Sequence, residues 1–418
     1  MRDTVAVVGS GVAGLTAAHL LQRRYDVTLF EADHRLGGHA HTHELPGPGG
    51  TVRVDSGFIV HNERTYPNLL RLFGELGVAT QAAEMSMSVR CRGCGLEYAG
   101  GRRLGGLFAT PSTARRPAYL RMLVEVGRFH RHARRVLADE RAADVTLGAF
   151  VAIGGHSRFF VEHFLLPVVA CVWSADELTS LRYPARYLFT FLDHHGMLAV
   201  GGSPQWRTVV GGSRSYVERA VKGLTAVHVA TPVRALRRLG RGVEVRDDAD
   251  TARAFDRVVI ATHPAQALAL WTAPTPAEVA ALGPITYAPN VTQLHRDTSL
   301  LPRAPRARAS WNYLKLDCAS NGSPVLVSYD MNRLHRLDTA EPHVVTLNGA
   351  AHVEPSSVLA TMQYAHPRYT PESVAAQRLL PALNDGTVAY AGAYHGWGFH
   401  EDGCAAGVRA AASLGVSW

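Results

Sequence analysis

Thr4-Val5-Ala6-Val7-Val8-Gly9-Ser10-Gly11-Val12-Ala13-Gly14 is the stretch that decides the fold. Its first five residues form a β-branched, apolar run of the kind a buried parallel strand shows. They lead without a linker into Gly-x-Gly-x-x-Gly. Leu15 to Arg24 then has helical character, Val27-Thr28-Leu29-Phe30 reads as a second strand, and Glu31 closes it about 20 residues after the glycines. Each position has a physical task. Gly9 permits a tight turn, Gly11 lets the backbone approach a pyrophosphate, Gly14 lets the helix pack closely on the strand, and the first helical N–H groups face the phosphates. Glu31 is placed to accept hydrogen bonds from an adenosine ribose. A strand–helix–strand frame with this terminal acid predicts a dinucleotide site in an α/β fold.

Arg35-Leu36-Gly37-Gly38-His39-Ala40-His41-Thr42 follows the second strand. Here the chain resembles the flavin-containing amine oxidase and phytoene desaturase superfamily, whose nucleotide-binding half continues as an RxGG segment wrapping FAD. Within it, the chain is most similar to the bacterial "predicted NAD/FAD-binding protein" group found beside cyclopropane-fatty-acyl-phospholipid synthases. The resemblance runs through Asp55-Ser56-Gly57-Phe58-Ile59-Val60-His61-Asn62-Glu63-Arg64-Thr65-Tyr66-Pro67 and returns at Val258 to Pro264. It ends in Gly392-Ala393-Tyr394-His395-Gly396-Trp397-Gly398-Phe399-His400-Glu401-Asp402-Gly403. It implies a Rossmann-type FAD-binding domain with an α+β substrate domain, amine-oxidase-like. It also implies FAD contacts at Gly9, Gly11, Gly14, Glu31, Arg35, Gly38 and Thr42, with Gly57-Phe58 passing the isoalloxazine. Val233 matches the strand whose backbone reads the adenine, and Gly392, Phe399, His400 and Gly403 match the C-terminal FAD motif. Two positions depart from the pattern: His39 replaces an arginine, and Ala393 replaces an acid.

Motifs at both ends and in the middle make the cofactor domain discontinuous. Residues 1–75, 201–265 and 376–418 are assigned to it, and 76–200 and 266–375 to the substrate domain. Gly211-Gly212-Ser213 opens a helix, Val227-His228-Val229 and Val243-Glu244-Val245 read as strands, and Asn321-Gly322 is a turn.

The 418 residues are 47% hydrophobic and 19% charged, enough for two substantial cores and unlike a disordered chain. Five cysteines give no disulfide framework and fit a reducing compartment. The first strand starts at Val5, leaving no room for a signal peptide, and Phe159 to Trp173 is interrupted by Glu162 and His163 and too short to span a bilayer. A cytoplasmic protein is expected. The net charge of +8 is almost all arginine, since Lys222 and Lys315 are the only lysines. The arginines crowd Arg115 to Arg141, where Leu120, Leu123, Val124, Val126, Phe129 and Val136 alternate with them as one apolar helix face. A solvated basic face is the simplest reading, and peripheral contact with the anionic inner face of the membrane is the functional alternative. No nucleic-acid partner is expected.

Cys91-Arg92-Gly93-Cys94 is read as a β-turn between two strands, because zinc needs four ligands and no second pair is spaced to supply them. No metal is expected. Cys404 does not sit in a flavin-attachment motif, so FAD is expected to be non-covalent. His400, Glu401 and Trp397 are the candidate catalytic residues, placed beside the flavin by the C-terminal motif; His395, Tyr364 and His366 are weaker candidates for the cavity wall. Lys315 is considered as a lysine that holds a water at the flavin. The expected function is hydride removal from an apolar substrate, with an unsaturated or methylated fatty acyl chain as the class the resemblance implies. Alternatives are amine oxidation, double-bond isomerisation, and a non-catalytic FAD-binding partner of a lipid-modifying enzyme.

Overall fold

The computed structural model describes residues 2–47, 49–101, 103–139, 141, 144–199, 201–319 and 325–418. Five strands form an all-parallel sheet in the order Ala226–His228, Asp26–Phe30, Thr4–Val8, Arg257–Ile260, Val388–Tyr390. Its central strand, Thr4–Val8, is flanked on both sides and almost wholly buried, which is why it reads as an unbroken apolar run. The sheet is Rossmann-type, and its strands come from the beginning, middle and end of the chain.

Four helices matter most: α1 (Val12–Leu21), α2 (Pro67–Leu76), α3 (Pro117–Ala138) and α4 (His400–Ser413). Helix α1 is buried at every residue but His19, because the parallel sheet covers one side and α4 the other. The α1–α4 crossing is set by glycine. A Cβ at Gly407 would stand 2.4 Å from the Ala13 carbonyl oxygen, and one at Gly403 would stand 2.7 Å from Val12 Cγ1. Any larger residue would hold the helices apart.

The second unit is built on a seven-stranded sheet: Val358–Pro367, Tyr287–His295, Val344–Leu347, Val327–Asp330, Trp311–Lys315, Met87–Cys91, Glu97–Gly100. All its pairings are antiparallel except that of Trp311–Lys315 with Met87–Cys91. Helices between 117 and 194 cover it and share its core, in which Phe129, Phe150, Phe160 and Phe189 interlock edge to face or tilted. Two small sheets, Thr42–Gly47 with Gly50–Asp55 and His61–Asn62 with Trp206–Val209 and Thr80–Ala82, lie between the motif segments. No described helix is long and apolar enough to cross a membrane.

Packing corrects the sequence reading in three places. Residues 266–285, expected in the substrate domain, put Ala267, Leu270, Ala281, Leu282 and Ile285 into the core beneath the parallel sheet with Val258 and Ile260. Helix α3 buries Tyr119, Met122, Glu125, Phe129 and Ala133, whereas Leu120 and Val124 are 42% and 73% exposed. The other four expected apolar residues do face the core, Phe129 buried in it and Leu123, Val126 and Val136 packed against it, while Glu125, which periodicity counts as polar, is buried as the acceptor of Ser157 N and Oγ. Third, the Cys91–Cys94 turn forms as expected, but tertiary packing brings His163 and Cys318 to it. The Asn321-Gly322 turn lies outside the described residues.

Because Gly407 meets backbone rather than a movable side chain, Gly407→Leu is expected to destabilise the protein by at least ~1–3 kcal/mol. Ala412→Leu, at an exposed position of the same helix, is the control. Thermal melts of the two variants against the parent check this.

Candidate functional site

The glycine turn after Thr4–Val8 is built as its sequence demands. Gly9 adopts φ +101° and its N–H donates to the Phe30 carbonyl at 2.8 Å. A Cβ on Gly14 would fall 1.9 Å from the Gly9 carbonyl oxygen, so only glycine lets α1 begin there. Gly11, the N-cap of α1, has open space where its Cβ would be, and no side chain caps the helix.

The RxGG segment folds back over this turn. Gly38, at φ +57°, would put a Cβ 3.1 Å from Gly11 Cα. Arg35 holds the loop in place, donating to the Gly38 carbonyl at 2.7 Å and pairing with Asp33 at 3.3 Å. Ser10 ties the segments together: its N and Oγ donate to Glu31 Oε2, and its Oγ accepts from Gly37 N at 3.0 Å. Glu31 Oε1 accepts from Asp33 N at 2.9 Å. Thr231 N donates to the Glu31 backbone carbonyl at 2.8 Å, two residues before the strand opened by Val233. Thr42 donates to Asp55 and accepts from Arg214 N at 2.9 Å, a joint between the small sheet and the next helix. Gly57 lies against the His39 carbonyl, where a Cβ would stand 2.2 Å away.

The C-terminal motif arrives at the same place. Gly403 on Val12 sets the first turn of α4 beside the first turn of α1, so two positive helix ends converge near Gly11. Gly392 is required because Tyr394 lies over it, with a ring carbon 2.2 Å from where a Cβ would be. Buried polar atoms with no protein partner among the described residues gather on these same segments: His39 Nε2, Tyr394 OH, His395 Nε2 and Trp397 Nε1. Buried donors and acceptors of native folds are paired, so this set fits a bound group rich in oxygen and nitrogen. The donor set, the open Gly11 and the paired helix ends fit a flavin adenine dinucleotide.

A family model described as "Flavin containing amine oxidoreductase" matches residues 12–299, well over half of the chain. The chain belongs to that family. Among curated relatives, the Mycobacterium tuberculosis protein named "Putative flavin-containing monoamine oxidase AofH" is 29% identical over 285 residues, 64% of this chain and 58% of the relative. The chain thus spans little more than half the length of that relative. The L-tryptophan oxidase RebO of Lentzea aerocolonigenes is 35% identical over 81 residues, 19% of this chain and 17% of its own. Among solved structures, cyclohexylamine oxidase from Brevibacterium oxydans shares the fold at TM-score 0.68 and 18% identity over 99% of both chains. A fatty acid isomerase from P. acnes does so at TM-score 0.67 and 14% identity over 97% of both. Family membership carries a flavin cofactor with it.

The candidate catalytic residues take different places. His400 stacks on Phe58 with ring centroids 3.7 Å apart and planes 11° apart, and its Nε2 shares a hydrogen bond with Tyr216 OH at 3.0 Å. Burial, then the neighbouring His61, pushes its pKa down to about 3, so the ring is neutral. Glu401 turns away to α2: its oxygens accept from Asn68 N, Asn68 Nδ2 and Leu69 N at 2.6–3.1 Å, capping that helix. Its carboxylate is occupied structurally, which corrects the expectation of a free catalytic acid. Trp397 packs on Tyr187 and Phe191, with its indole N–H unpaired.

Lys315 is also corrected. It lies opposite Cys91 in the second sheet and bonds Glu177 at 2.7 Å and Glu162 at 2.9 Å. Burial opposes its charge, yet the bonds to Glu177 and Glu162 carry its pKa above the ordinary value. It is committed to a buried ion cluster, with no partner in the flavin motifs.

Sequence reasoning missed a relay between the two units: His41 Nδ1 to Tyr364 OH at 3.0 Å, Tyr364 OH to Ser56 Oγ at 2.7 Å, and Ser56 Oγ to His43 Nε2 at 2.8 Å. His39 stacks on Tyr364 at 4.9 Å. The signal was present, since histidines at alternate positions of an extended segment share one face. Asp402 was missed too. Its carboxylate accepts from Phe399 N at 2.9 Å, and burial lifts its pKa to about 7 despite that bond.

The folded protein therefore holds the Asp402 proton more tightly than the unfolded chain does. The contribution of this group to stability is full below pH 3.8 and is lost as pH rises towards 7. Asp402→Asn should flatten that loss, gaining on the parent by up to ~1.4 kcal/mol per pH unit within the window. Denaturant melts of both proteins across the window provide the check, and parallel profiles would place the titration elsewhere.

Proposed function

We propose that this chain is an oxidoreductase that binds FAD non-covalently and removes hydride from an apolar substrate. The observation that carries the cofactor reading is the convergence of two helix N-termini on the open Gly11, roofed by Gly38. Bound FAD would supply the two-electron acceptor for such chemistry. The chain's own residues do the rest. Backbone N–H groups at the starts of α1 and α4 bind the pyrophosphate, Glu31 takes the ribose, and Arg35 keeps the RxGG roof closed. Phe58 and His400 form a stacked wall. Its neutral ring and its bond to Tyr216 favour His400 as a residue that holds the cofactor over one that shuttles a proton. Cys404 supports non-covalent binding, because it is buried in the α1–α4 contact with Thr16 Oγ1 on its sulfur at 3.4 Å.

For the substrate, the apolar side chains around the C-terminal motif favour an apolar chain. Beside the C-terminal motif stand Trp173, Tyr187, Phe191, Phe399 and Tyr369, in mutual ring contact. The two carboxylates of the motif are engaged, Glu401 with α2 and Asp402 with Phe399 N. A cationic amine would find neither uncommitted. An unsaturated or methylated acyl chain is the class favoured here, by desaturation or by double-bond shift. Amine oxidation is the rival, supported by the names of the amine-oxidising relatives. Helix α3, with Leu120 and Val124 exposed among arginines, supports peripheral contact with an anionic bilayer from a cytoplasmic location.

Anaerobic mixing with free fatty acids, phospholipids and small amines separates these readings. Bleaching of the flavin by an acyl substrate is expected. Bleaching by amines alone would overturn the substrate class, and an acyl product with a moved double bond and no lasting bleaching would indicate isomerisation. The purified protein should carry about one FAD per chain, freed by acid or heat. Flavin that stays on the denatured polypeptide would refute non-covalent binding. Glu31→Ala should weaken FAD by ~1.5–3 kcal/mol, roughly tenfold to a hundredfold, in an equilibrium titration. His400→Ala should lower FAD affinity while leaving flavin reduction at saturating FAD within about tenfold of the parent; a larger fall would make it a proton-transfer residue.

A further inference from the structure

Four side chains with metal-binding atoms, none of them in the glycine loops, meet at one corner of the seven-stranded sheet. Cys91 ends the Met87–Cys91 strand, and Cys94 lies on the turn that follows it. Cys318 lies just beyond the parallel partner strand, Trp311–Lys315. His163 comes from the helical layer, on a π-helical turn spanning Val161–Leu165. Their ligand atoms all lie within 4.8 Å of one another. We propose that Cys91, Cys94, Cys318 and His163 bind one structural zinc ion.

The distances fit tetrahedral coordination. Bonds of ~2.3 Å to sulfur and ~2.0–2.1 Å to nitrogen place tetrahedral S···S pairs about 3.8 Å apart and S···N pairs about 3.5 Å apart. Cys91 Sγ and Cys318 Sγ are 3.8 Å apart, and Cys94 Sγ and His163 Nε2 are 3.6 Å apart. Both are too far for covalent bonds and closer than unrelated side chains need to be.

The surroundings prepare each ligand. His163 Nδ1 lies 3.2 Å from the Phe159 carbonyl. Donation there fixes the tautomer that leaves Nε2 with its lone pair facing the sulfurs, as metal-bound histidines require. Arg116 donates to Cys94 Sγ at 3.1 Å and to the Cys94 carbonyl at 2.7 Å, supporting a thiolate and fixing the turn. The turn is tight: Gly95 adopts φ +70°, and its N–H bonds the Cys91 carbonyl at 2.9 Å. Gly93 presses on the segment bearing Cys318, where a Cβ would be 2.9 Å from Cys318 N. The π-helical turn that carries His163 also carries Glu162, which bonds Lys315 three residues before Cys318. One wide turn thus anchors the helical layer to this strand through an ion pair and a metal ligand, and π-turns recur at such sites.

Four protein ligands close the coordination sphere, leaving no position for substrate, and three sulfurs with one imidazole select zinc among common tetrahedral ions. The ion would clip the hairpin, the Trp311–Lys315 strand and the helical layer together. It fastens Cys91 to Cys318 across 227 positions of sequence, a long-range constraint of the kind that stabilises folds.

The test uses the full-length flavoprotein from zinc-supplemented culture, purified without chelators. Plasma mass spectrometry should find about one zinc per chain, and a mercurial should release it to a chromogenic chelator. Cys318→Ser and His163→Gln should each lower bound zinc at least roughly tenfold, with FAD still present in the folded fraction. If those variants fail to fold, cobalt substitution of the parent protein provides the independent readout. Intense visible d–d bands and a thiolate-to-cobalt charge-transfer band are expected. Parent protein with negligible zinc whose cobalt form lacks those bands would overturn the proposal, as would a Cys91–Cys318 or Cys91–Cys94 disulfide identified by peptide mapping.

Discussion

The contact between the first turns of α1 and α4 is the constraint on which the flavin half depends. It is a backbone-scale approach, made possible by Gly403 on Val12 and Gly407 on Ala13. It joins the two ends of the chain, because α1 follows the first strand and α4 follows the last strand of the parallel sheet. Its effect is electrostatic as well as steric. Two helix N-termini side by side give a concentrated positive end, and a pyrophosphate suits that field. This field leaves room for His39, an uncharged side chain, on the loop beside it. Burial and the neighbouring His366 hold the His39 pKa well below its ordinary value, so its ring adds a hydrogen-bonding edge and no charge.

Neutral imidazole is a theme of the interface between the units. His41, His61, His263, His366 and His400 all have pKa values held to about 3 or 4, with burial the leading cause in each. Histidine here acts as an aromatic wall with two polar atoms, stacking on Phe58, Tyr364 and Tyr287 while bonding Tyr216, Ser56 and Asn290. A flavin needs a flat, polarisable surface with hydrogen-bonding atoms at its rim, and such rings provide it without a buried charge.

What could be read from the sequence was local. The glycine turn was legible from its spacing, whereas the RxGG segment and the C-terminal motif were placed by resemblance to the family; each encodes backbone geometry within a dozen residues. The parallel sheet followed, because the first strand had to be covered on both faces. Helix α3 was misread only in part, at Leu120, Val124 and Glu125: Glu125 is polar in any periodicity, and only the Ser157 partner makes its burial sensible. Glu401 and Lys315 were misread for the same reason, since an acid or a lysine in a motif gives no hint that a helix end or two glutamates will occupy it.

The cysteine cluster is the extreme case. Cys91 and Cys94 are adjacent in sequence, but the other two ligands lie 69 positions after Cys94 and 227 positions after Cys91, on a helix and a strand end whose meeting depends on the whole sheet order. Spacing rules recognise sites that a short segment closes by itself; this one is closed by the fold. The same logic divides the molecule's stability. The flavin half depends, beyond its apolar cores, on close glycine contacts at Gly14, Gly57, Gly392 and Gly407. The substrate half is held at its corner by polar and ionic groups, Lys315 with Glu162 and Glu177 beside the three cysteines and His163. Loss of one partner there leaves the others buried without compensation, so that corner is expected to fail as a unit, whereas the glycine contacts fail one site at a time.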